Sequence, residues 1–357
     1  MPMSKTRVLV VDDSAFMRKV ITDIINEDPE LEVVGKARDG LDALDKIREL
    51  KPDVITLDVE MPNMDGLSAL ARIMEVNPLP VIMLSSVTKS GTEQTVKALQ
   101  LGAVDFITKP SGHISLDIES VKDDIIRKIK IAAGTKKKLT NFNIKEVKPL
   151  PPPDVKTIKK VDTSRQLNKL VLIGTSTGGP KALHQVVPEL PGNLDAAVLI
   201  VQHMPPGFTR SLAERLDSLS QIRVKEAEHG DAIVPGCAYI APGDFHLTVC
   251  TPTPKTLQVS LNKSEPRGGL RPAADVMFDS AAQHFWSHMV CVIMTGMGRD
   301  GSEGLQAVKR CGGKIIAEHQ STSIVYGMPK AAFETGQVDL VVPLPEISKA
   351  IVKMLLQ

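Results

Sequence analysis

Val8-Leu-Val-Val-Asp-Asp-Ser14, near the start of the chain, joins four consecutive aliphatic residues to two adjacent acids. An aliphatic run without polar alternation is typical of a parallel strand that is buried on both faces. Similar runs follow at Val33–Val34, Val54–Leu57, Val81–Leu84 and Asp105–Thr108. Amphipathic stretches such as Gly66–Val76 separate these runs. The alternation predicts five β/α units over about 125 residues, and therefore a doubly wound parallel sheet.

A second strand–helix rhythm begins near Lys169 and continues to the end of the chain. Its strand-like runs are Lys169–Gly174, Ala196–Gln202, Ala238–Ala241, His246–Val249, Val290–Thr295, Lys314–Ala317 and Val338–Val342. Between Lys136 and Lys160, eight lysines face two acids around a proline cluster, a composition typical of an extended linker. We therefore predict a first domain over residues 1–132, a linker over 133–167, and a second α/β/α three-layer domain with a mostly parallel sheet over 168–357.

The bulk composition argues against several classes of protein. The chain has 357 residues, 42% of them hydrophobic, and a formal net charge of +1, so it has no general attraction to nucleic acid. No apolar run reaches membrane-spanning length. Only four apolar residues follow Arg7 before Asp12 and Asp13, which is too short and too acidic for the core of a signal peptide. The four cysteines form no CxxC pair. We expect a cytoplasmic protein with no nucleic-acid partner and no membrane insertion.

Five polar residues stand at the predicted strand ends of the first domain: Asp12, Asp13, Asp58, Ser85 and Lys109. The carboxyl ends of parallel strands meet at one edge of the sheet, so these side chains are expected to converge there. Crowded carboxylates repel each other unless a cation neutralises them, and an oxygen-rich site suits Mg²⁺. A single strand-end Asp is more often a helix cap, but five such residues together predict a phosphoryl-accepting site.

The first 125 residues resemble the response-regulator receiver family. The matching stretches are Val8–Ser14, Asp58-Val-Glu-Met-Pro-Asn-Met-Asp-Gly66, Ser85-Ser86 and Thr108-Lys-Pro110. The resemblance implies a flavodoxin-like fold in which Asp58 accepts the phosphoryl group and Asp12, Asp13 and Asp58 hold Mg²⁺. It also implies that Ser85 and Lys109 contact the phosphoryl group. Phe106 matches the switch aromatic of the family, although a plain core ring explains it equally well.

A candidate nucleophile follows the first strand of the second domain. Leu170-Val-Leu-Ile-Gly-Thr-Ser-Thr-Gly-Gly-Pro-Lys181 contains G-x-S-x-G, which places Ser176 at a strand-to-helix turn. The backbone N–H groups of such a turn can stabilise an oxyanion. A Walker loop would need Lys where Pro180 stands, and a dinucleotide fingerprint would need Gly in place of Ser176.

Two further strand ends supply partners for Ser176. His203 follows the run Val198–Gln202, and Asp300 follows Val290–Thr295, so all three residues are expected at one sheet edge. His203 would accept the serine proton while Asp300 orients the imidazole. His319 is the alternative base, because Ser176, Asp300 and His319 have the chain order of α/β-hydrolases.

The second domain resembles the methylesterase domain of the chemotaxis protein-glutamate methylesterases, the CheB family. The matching stretches are Ile173–Gly179, Gln202–Phe208, Tyr239–Gly243, Thr295–Gly301 and Tyr326–Pro329. The resemblance implies the triad Ser176, His203 and Asp300, an oxyanion site at the backbone of Thr177 and Met297, and no cofactor for hydrolysis. Where the family more often has Gln-Asp-Glu after the strand near Ala317, this chain has Glu318-His-Gln320.

The same resemblance implies a function in chemotactic adaptation. The expected reactions are hydrolysis of glutamate methyl esters and deamidation of glutamines on chemoreceptor cytoplasmic domains, with a chemotaxis histidine kinase as phosphodonor. The flexible linker leads us to expect that the first domain covers the hydrolase site until Asp58 is phosphorylated. One alternative is a non-enzymatic receiver effector in which Ser176 is structural. The other is a DNA-binding regulator, which the lack of a helix-turn-helix pattern disfavours.

Overall fold

The computed structural model describes residues 5–109, 118–136, 166–253, 256–285 and 288–357. The chain divides into two compact units, residues 1–147 and 148–357. Most of the predicted linker, 133–167, lies outside the described residues, so the predicted domain boundaries stay predictions.

The first unit is built on a five-stranded sheet in the order β2-β1-β3-β4-β5, with every neighbouring pair parallel. The strands are β1 (Thr6–Val11), β2 (Leu31–Ala37), β3 (Val54–Asp58), β4 (Val81–Ser85) and β5 (Asp105–Thr108). The helices are α1 (Ala15–Asn26), α2 (Gly40–Leu50), α3 (Gly66–Val76), α4 (Lys89–Leu101) and α5 (Ile118–Gly134). This arrangement confirms the doubly wound fold expected from the strand–helix rhythm.

Side-chain caps determine where the first four helices of this unit begin. Ser14, Asp39, Asp65 and Thr88 each accept a hydrogen bond from a backbone N–H group in the first turn of the helix that follows. Such caps satisfy N–H groups that have no partner inside the helix, and each contributes about 1 kcal/mol.

The second unit contains a seven-stranded sheet in the order β14-β13-β12-β6-β7-β9-β8, in which all neighbouring pairs are parallel. Its strands are β6 (Lys169–Thr175), β7 (Ala197–Gln202), β8 (Arg223–Glu226), β9 (Cys237–Ile240), β12 (His288–Ile293), β13 (Lys314–Glu318) and β14 (Leu340–Val342). Its helices are α6 (Gly179–Val186), α7 (Phe208–Leu219), α8 (Ala274–His284), α9 (Leu305–Arg310), α10 (Met328–Glu334) and α11 (Ile347–Leu355), with a 3₁₀ turn at Leu344–Glu346.

The run His246–Val249 forms a strand, but this strand lies outside the parallel sheet. It belongs to β10 (His246–Thr253), which pairs antiparallel with β11 (Thr256–Asn262) in a separate hairpin. The burial of β10 alternates towards its end because only one face packs against α8. Sequence patterns alone did not indicate β8 or β11, whose aliphatic runs are short and interrupted by polar residues.

The parallel topology brings the candidate residues of each unit to one edge. In the second unit, β6 lies between β7 and β12, and Gly174 pairs with Val201 on one side and Ile293 on the other. The segments that follow these three strands carry Ser176, His203 and Asp300. All four cysteines are free, and no helix among the described residues is long and apolar enough to cross a membrane.

Candidate functional site

The first unit collects an ion-pair network at the carboxyl ends of β1, β3 and β5. The Lys109 ammonium lies 2.9 Å from Oδ2 of Asp12 and 2.7 Å from Oδ2 of Asp58. Both carboxylates are buried, whereas Asp13 is exposed. The strand ends have therefore brought together Asp12, Asp58 and Lys109, as the sequence pattern predicts.

This carboxylate set has the chemistry that Mg²⁺ requires. One carboxylate oxygen from each of Asp12, Asp13 and Asp58 lies within 4.8 Å of the others. Burial raises the pKa of Asp58 to about 6, although the Lys109 ammonium opposes the shift. A hard cation beside these oxygens would favour their ionised forms, so the residues fit a magnesium ion.

Ser85 ends β4 and Phe106 lies in β5, but the contacts that the structure shows for their side chains are with residues outside this ion-pair network. The Ser85 hydroxyl accepts a hydrogen bond from Thr95 Oγ1 at 2.6 Å and lies 3.2 Å from the carbonyl oxygen of Gly91, both in α4. The Phe106 ring is buried, with the Lys128 ammonium 5.3 Å from its centroid. Ser85 is thus linked to α4, and its predicted contact with a phosphoryl group stays a prediction.

In the second unit, Ser176 occupies a tight turn between β6 and α6. Its carbonyl oxygen accepts a hydrogen bond from the N–H of Gly179 at 2.7 Å, and Gly178 adopts a φ of 79° that favours glycine. Pro180 stands in the first turn of α6, as expected from its fixed φ. Ser176 itself is half-buried.

His203 and Asp300 form a close pair at the same edge. Nε2 of His203 lies 2.8 Å from Oδ2 of Asp300, and both side chains are largely buried. The backbone N–H of His203 donates to the carbonyl oxygen of Thr175, the residue before Ser176. This bond holds His203 next to the turn of Ser176. With Nε2 directed to Asp300, Nδ1 is the remaining nitrogen of the His203 ring.

Asp300 is held in its ionised form by the start of α8. Its Oδ2 accepts the N–H of Ala274 at 2.6 Å, and its Oδ1 accepts the N–H of Asp275 at 3.1 Å. Burial by itself would raise the pKa of Asp300. The hydrogen bond from His203 and those from the helix N–H groups outweigh burial, so the pKa lies below its usual 3.8. Burial and the Asp300 charge together raise the pKa of neighbouring Asp275 to about 6.

His319 does not take part in this arrangement. It is exposed, and its Nδ1 lies 2.8 Å from the hydroxyl of Ser321. Neighbouring Glu318 is fully buried at the end of β13, where its Oε2 accepts the N–H of Thr295 at 2.8 Å. The geometry therefore favours His203 over His319 as the base. The hydrogen bond from Thr295 also gives a structural role to Glu318, one of the residues at which this chain departs from the usual family sequence.

The backbone before Met297 lies directly against the nucleophile. A Cβ added to Gly296 would lie 2.8 Å from Cβ of Ser176 and 2.3 Å from Sδ of Met328, so only glycine fits there. Met297 follows this close approach, and its side chain is 39% exposed. The loop is thus well placed for its backbone to contact a carbonyl oxygen of a substrate held at Ser176.

Sequence reasoning missed two buried residues that hold the turn of Ser176. The side-chain Nε2 of Gln202 donates to the carbonyl oxygens of Ser176 and His203, each at 3.0 Å. The carbonyl oxygen of Thr295 accepts the N–H of Ser176 at 3.0 Å. Both residues are polar and close an aliphatic run, at β7 and just after β12. A polar residue at the last buried position of a strand is the signal that could have identified them.

Comparison with known proteins finds a different family for each part of the chain. Residues 171–351 match the CheB methylesterase family, and residues 8–118 match the response regulator receiver domain. A Syntrophomonas wolfei subsp. wolfei protein named protein-glutamate methylesterase/protein-glutamine glutaminase 1 is 62% identical over 357 residues, covering 99% of this chain and 100% of that protein. A Pyrococcus abyssi protein named protein-glutamate methylesterase/protein-glutamine glutaminase is 53% identical over 355 residues, covering 99% of this chain and 95% of that protein.

A solved structure agrees with the fold of the second unit. The crystal structure of the Thermotoga maritima CheB methylesterase catalytic domain superposes with a TM-score of 0.51 at 47% identity. The match covers 52% of this chain and 98% of that domain. Together with the nearly full-length relatives, this likeness shows that the chain belongs to the CheB methylesterase family and carries a response regulator receiver domain in its N-terminal part.

Proposed function

We propose that this chain hydrolyses glutamate methyl esters, and deamidates selected glutamines, on the cytoplasmic domains of chemoreceptors. The nearly full-length relatives that carry both activities in their names support this assignment. The single observation that carries the chemistry is the His203–Asp300 pair at 2.8 Å, on the strand ends that flank the turn of Ser176. The enzyme acts in the cytoplasm, where its substrate helices lie.

The acylation step uses the three side chains in sequence. Oγ of Ser176 attacks the ester carbonyl carbon, and its proton passes to Nδ1 of His203, while Asp300 balances the imidazolium through Nε2. The tetrahedral oxyanion is stabilised by the backbone N–H groups of Thr177 and Met297. The intermediate then expels methoxide, which takes the proton from His203 and leaves as methanol.

Deacylation repeats this chemistry with water. His203 removes a proton from the attacking water, and the hydroxide adds to the acyl-enzyme carbonyl carbon. Collapse of the second intermediate breaks its bond to Oγ of Ser176, which regains the proton from His203. The product is a glutamate side chain. A glutamine substrate follows the same route, with ammonia leaving in place of methanol.

Regulation is assigned to the receiver site. A chemotaxis histidine kinase transfers a phosphoryl group to Asp58, and Asp12, Asp13 and Asp58 would hold a Mg²⁺ ion, which would neutralise the incoming charge. Lys109 and Ser85 contact the phosphoryl oxygens. For Ser85 this requires its hydroxyl to exchange its contacts with Thr95 and Gly91, so phosphorylation is linked to α4. Phe106, which is buried beside this site, is assigned the switch role.

The direct test is methanol release from a methyl-esterified chemoreceptor cytoplasmic domain. The wild-type protein is assayed with and without a small phosphodonor and Mg²⁺, beside Ser176→Ala and Asp58→Asn. We expect release that rises with phosphodonor, is lost in Ser176→Ala, and stays at its basal level in Asp58→Asn. Absence of release from the wild-type protein under every condition would favour a non-enzymatic receiver effector.

A further inference from the structure

Thr295 is fully buried between the nucleophile turn and the loop that carries Met297 and Asp300. It follows β12, the strand next to β6 in the sheet. None of its side-chain hydrogen bonds involves His203 or Asp300, so the proton-transfer chemistry does not use it. Its hydrogen bonds nevertheless join the turn of Ser176 to Glu318 and to the segment that contains Val325.

The backbone of Thr295 holds the beginning of the nucleophile turn. Its carbonyl oxygen accepts the N–H of Ser176 at 3.0 Å and the hydroxyl of Thr175 at 3.0 Å. Its own N–H donates to Oε2 of Glu318 at 2.8 Å. The buried carboxyl group of Glu318 thus bonds the N–H of the same residue whose carbonyl oxygen accepts the N–H of Ser176.

The side chain of Thr295 holds the next part of the turn. Its hydroxyl donates to the carbonyl oxygen of Thr177 at 3.0 Å and accepts the N–H of Val325 at 3.0 Å. The first bond fixes the peptide between Thr177 and Gly178, and the second fixes the segment that leads to Gly327. Since the N–H of Gly327 donates to the carbonyl oxygen of Gly296, this segment also supports the backbone before Met297.

We propose that Thr295 is a positioning residue of this active site, which sets the distance between the Ser176 hydroxyl and the oxyanion-binding backbone at Met297. The inference rests on Ser176 being the nucleophile. Misplacement of reacting groups by about 1 Å can lower a rate on the order of 10²-fold while leaving ground-state binding in place.

A matched pair of substitutions separates the hydroxyl from the methyl group. Thr295→Val keeps the shape of the side chain and removes both hydroxyl bonds, whereas Thr295→Ser keeps the hydroxyl. In the full-length protein with phosphodonor and Mg²⁺, we expect Thr295→Val to lower kcat for methanol release by about 10²-fold with KM changed by less than about threefold. Thr295→Ser should recover most of kcat. Circular dichroism establishes that each variant is folded.

A second pair of substitutions tests the same assignment at Glu318, which accepts the backbone N–H of Thr295. Glu318→Gln keeps an oxygen acceptor for the N–H of Thr295, and Glu318→Leu removes it. We expect Glu318→Gln to keep a kcat close to that of the wild-type protein, and Glu318→Leu to have a much lower kcat. This pair decides the question if Thr295→Val does not fold.

The outcomes distinguish this inference from the proposed function. A wild-type protein that releases no more methanol than Ser176→Ala would contradict the function itself. An active wild-type protein with unchanged kcat in Thr295→Val, or with equal losses in Thr295→Val and Thr295→Ser, would overturn the positioning role. So would full activity in Glu318→Leu.

Discussion

At the scale of single residues, Asp300 illustrates how a buried charge is made stable. Four N–H groups donate to its carboxylate: those of His203, Ala274, Asp275 and Gly301. Two of them are the first N–H groups of α8, which has no side-chain cap of its own. Asp300 therefore caps that helix, in addition to the role of orienting acid that we propose for it.

This double role predicts an unusually severe effect for Asp300→Asn. An amide can present only one oxygen, so its NH₂ group must face at least one backbone N–H donor. We expect kcat to fall by about 10⁴-fold, and the free energy of unfolding to decrease by about 1–3 kcal/mol. Ester hydrolysis and urea unfolding measure the two effects.

The matched control is Asp279→Asn, on the same helix. Asp279 pairs with Arg267, which also contacts Glu303, and the pair is partly exposed. We expect its unfolding free energy to change by less than about 0.5 kcal/mol and its kcat to stay at the wild-type level. A fully active and stable Asp300→Asn would contradict the role assigned to the carboxylate.

Asp58 is predicted to make receiver stability depend on pH in the absence of metal. Its folded pKa of about 6 lies above the ordinary 3.8, so the protonated form favours folding. Stability should therefore decrease as the pH rises from about 4 through about 6, and Asp58→Asn should remove this decrease. Hydrogen exchange in β3 of the full-length protein, measured in EDTA from pH 4 to 8, tests the trend.

Asp39 provides a control with the opposite sign. Its hydrogen bond from the N–H of Asp42 lowers its pKa, so its ionised form favours folding. The decrease in unfolding free energy that Asp39→Asn causes should therefore become larger as the pH rises. Parallel trends in the two variants would contradict the assignment of Asp58.

At the scale of elements, the sites depend on how closely helices approach the strand ends. Gly66, the first residue of α3, donates its N–H to the carbonyl oxygen of Val59 at 3.0 Å. A Cβ at this position would lie 2.0 Å from the carbonyl oxygen of Asp58. The missing side chain thus lets α3 begin directly against the end of β3, where Asp58 stands.

Gly66→Ala should destabilise the receiver and disturb Asp58. Because the clash is with backbone, which cannot move cheaply, we expect a loss of about 1–3 kcal/mol in unfolding free energy and slower phosphorylation by a small phosphodonor. Gly134→Ala, at the end of α5, is the control, since an added Cβ meets nothing within 4 Å there. It should stabilise the protein by up to about 1 kcal/mol. Equal effects of the two substitutions would refute the steric argument.

At the scale of the whole molecule, two units of similar architecture carry different chemistry. Both present their polar residues at the carboxyl ends of parallel strands. One edge collects carboxylates and an ammonium group, and the other collects a serine, a histidine and an aspartate. Because the two sets of side chains belong to different units, one unit can regulate the other without sharing catalytic groups with it.

We predict that removal of residues 1–135 raises the basal hydrolase activity. If the receiver covers the hydrolase site in the unphosphorylated protein, its removal should increase methanol release without phosphodonor by about 5- to 150-fold, the usual range of coupling between sites. The phosphorylated full-length protein should approach the same rate. Equal or lower activity in a well-folded fragment would count against occlusion.

Much of the fold of this protein could be predicted from the sequence alone. Aliphatic runs without alternation marked the strands of both parallel sheets except β8, because strands buried on both faces exclude polar residues. Since parallel strands share one carboxyl edge, the acids after β1 and β3 and the serine after β6 were also expected to have partners nearby. The predicted fold class is confirmed, while the assigned roles of the site residues stay predictions.

Tertiary structure decided what local patterns do not encode. Only the structure shows that the ring of His203, rather than that of His319, reaches Asp300. Only the structure shows that β10 and β11 lie outside the main sheet, where β10 packs against α8. The support from Gln202, Thr295 and Glu318 came from hydrogen bonds between residues far apart in the chain. A buried polar group must find a partner, but its sequence position does not say which one, because that partner is selected only when the strands have paired.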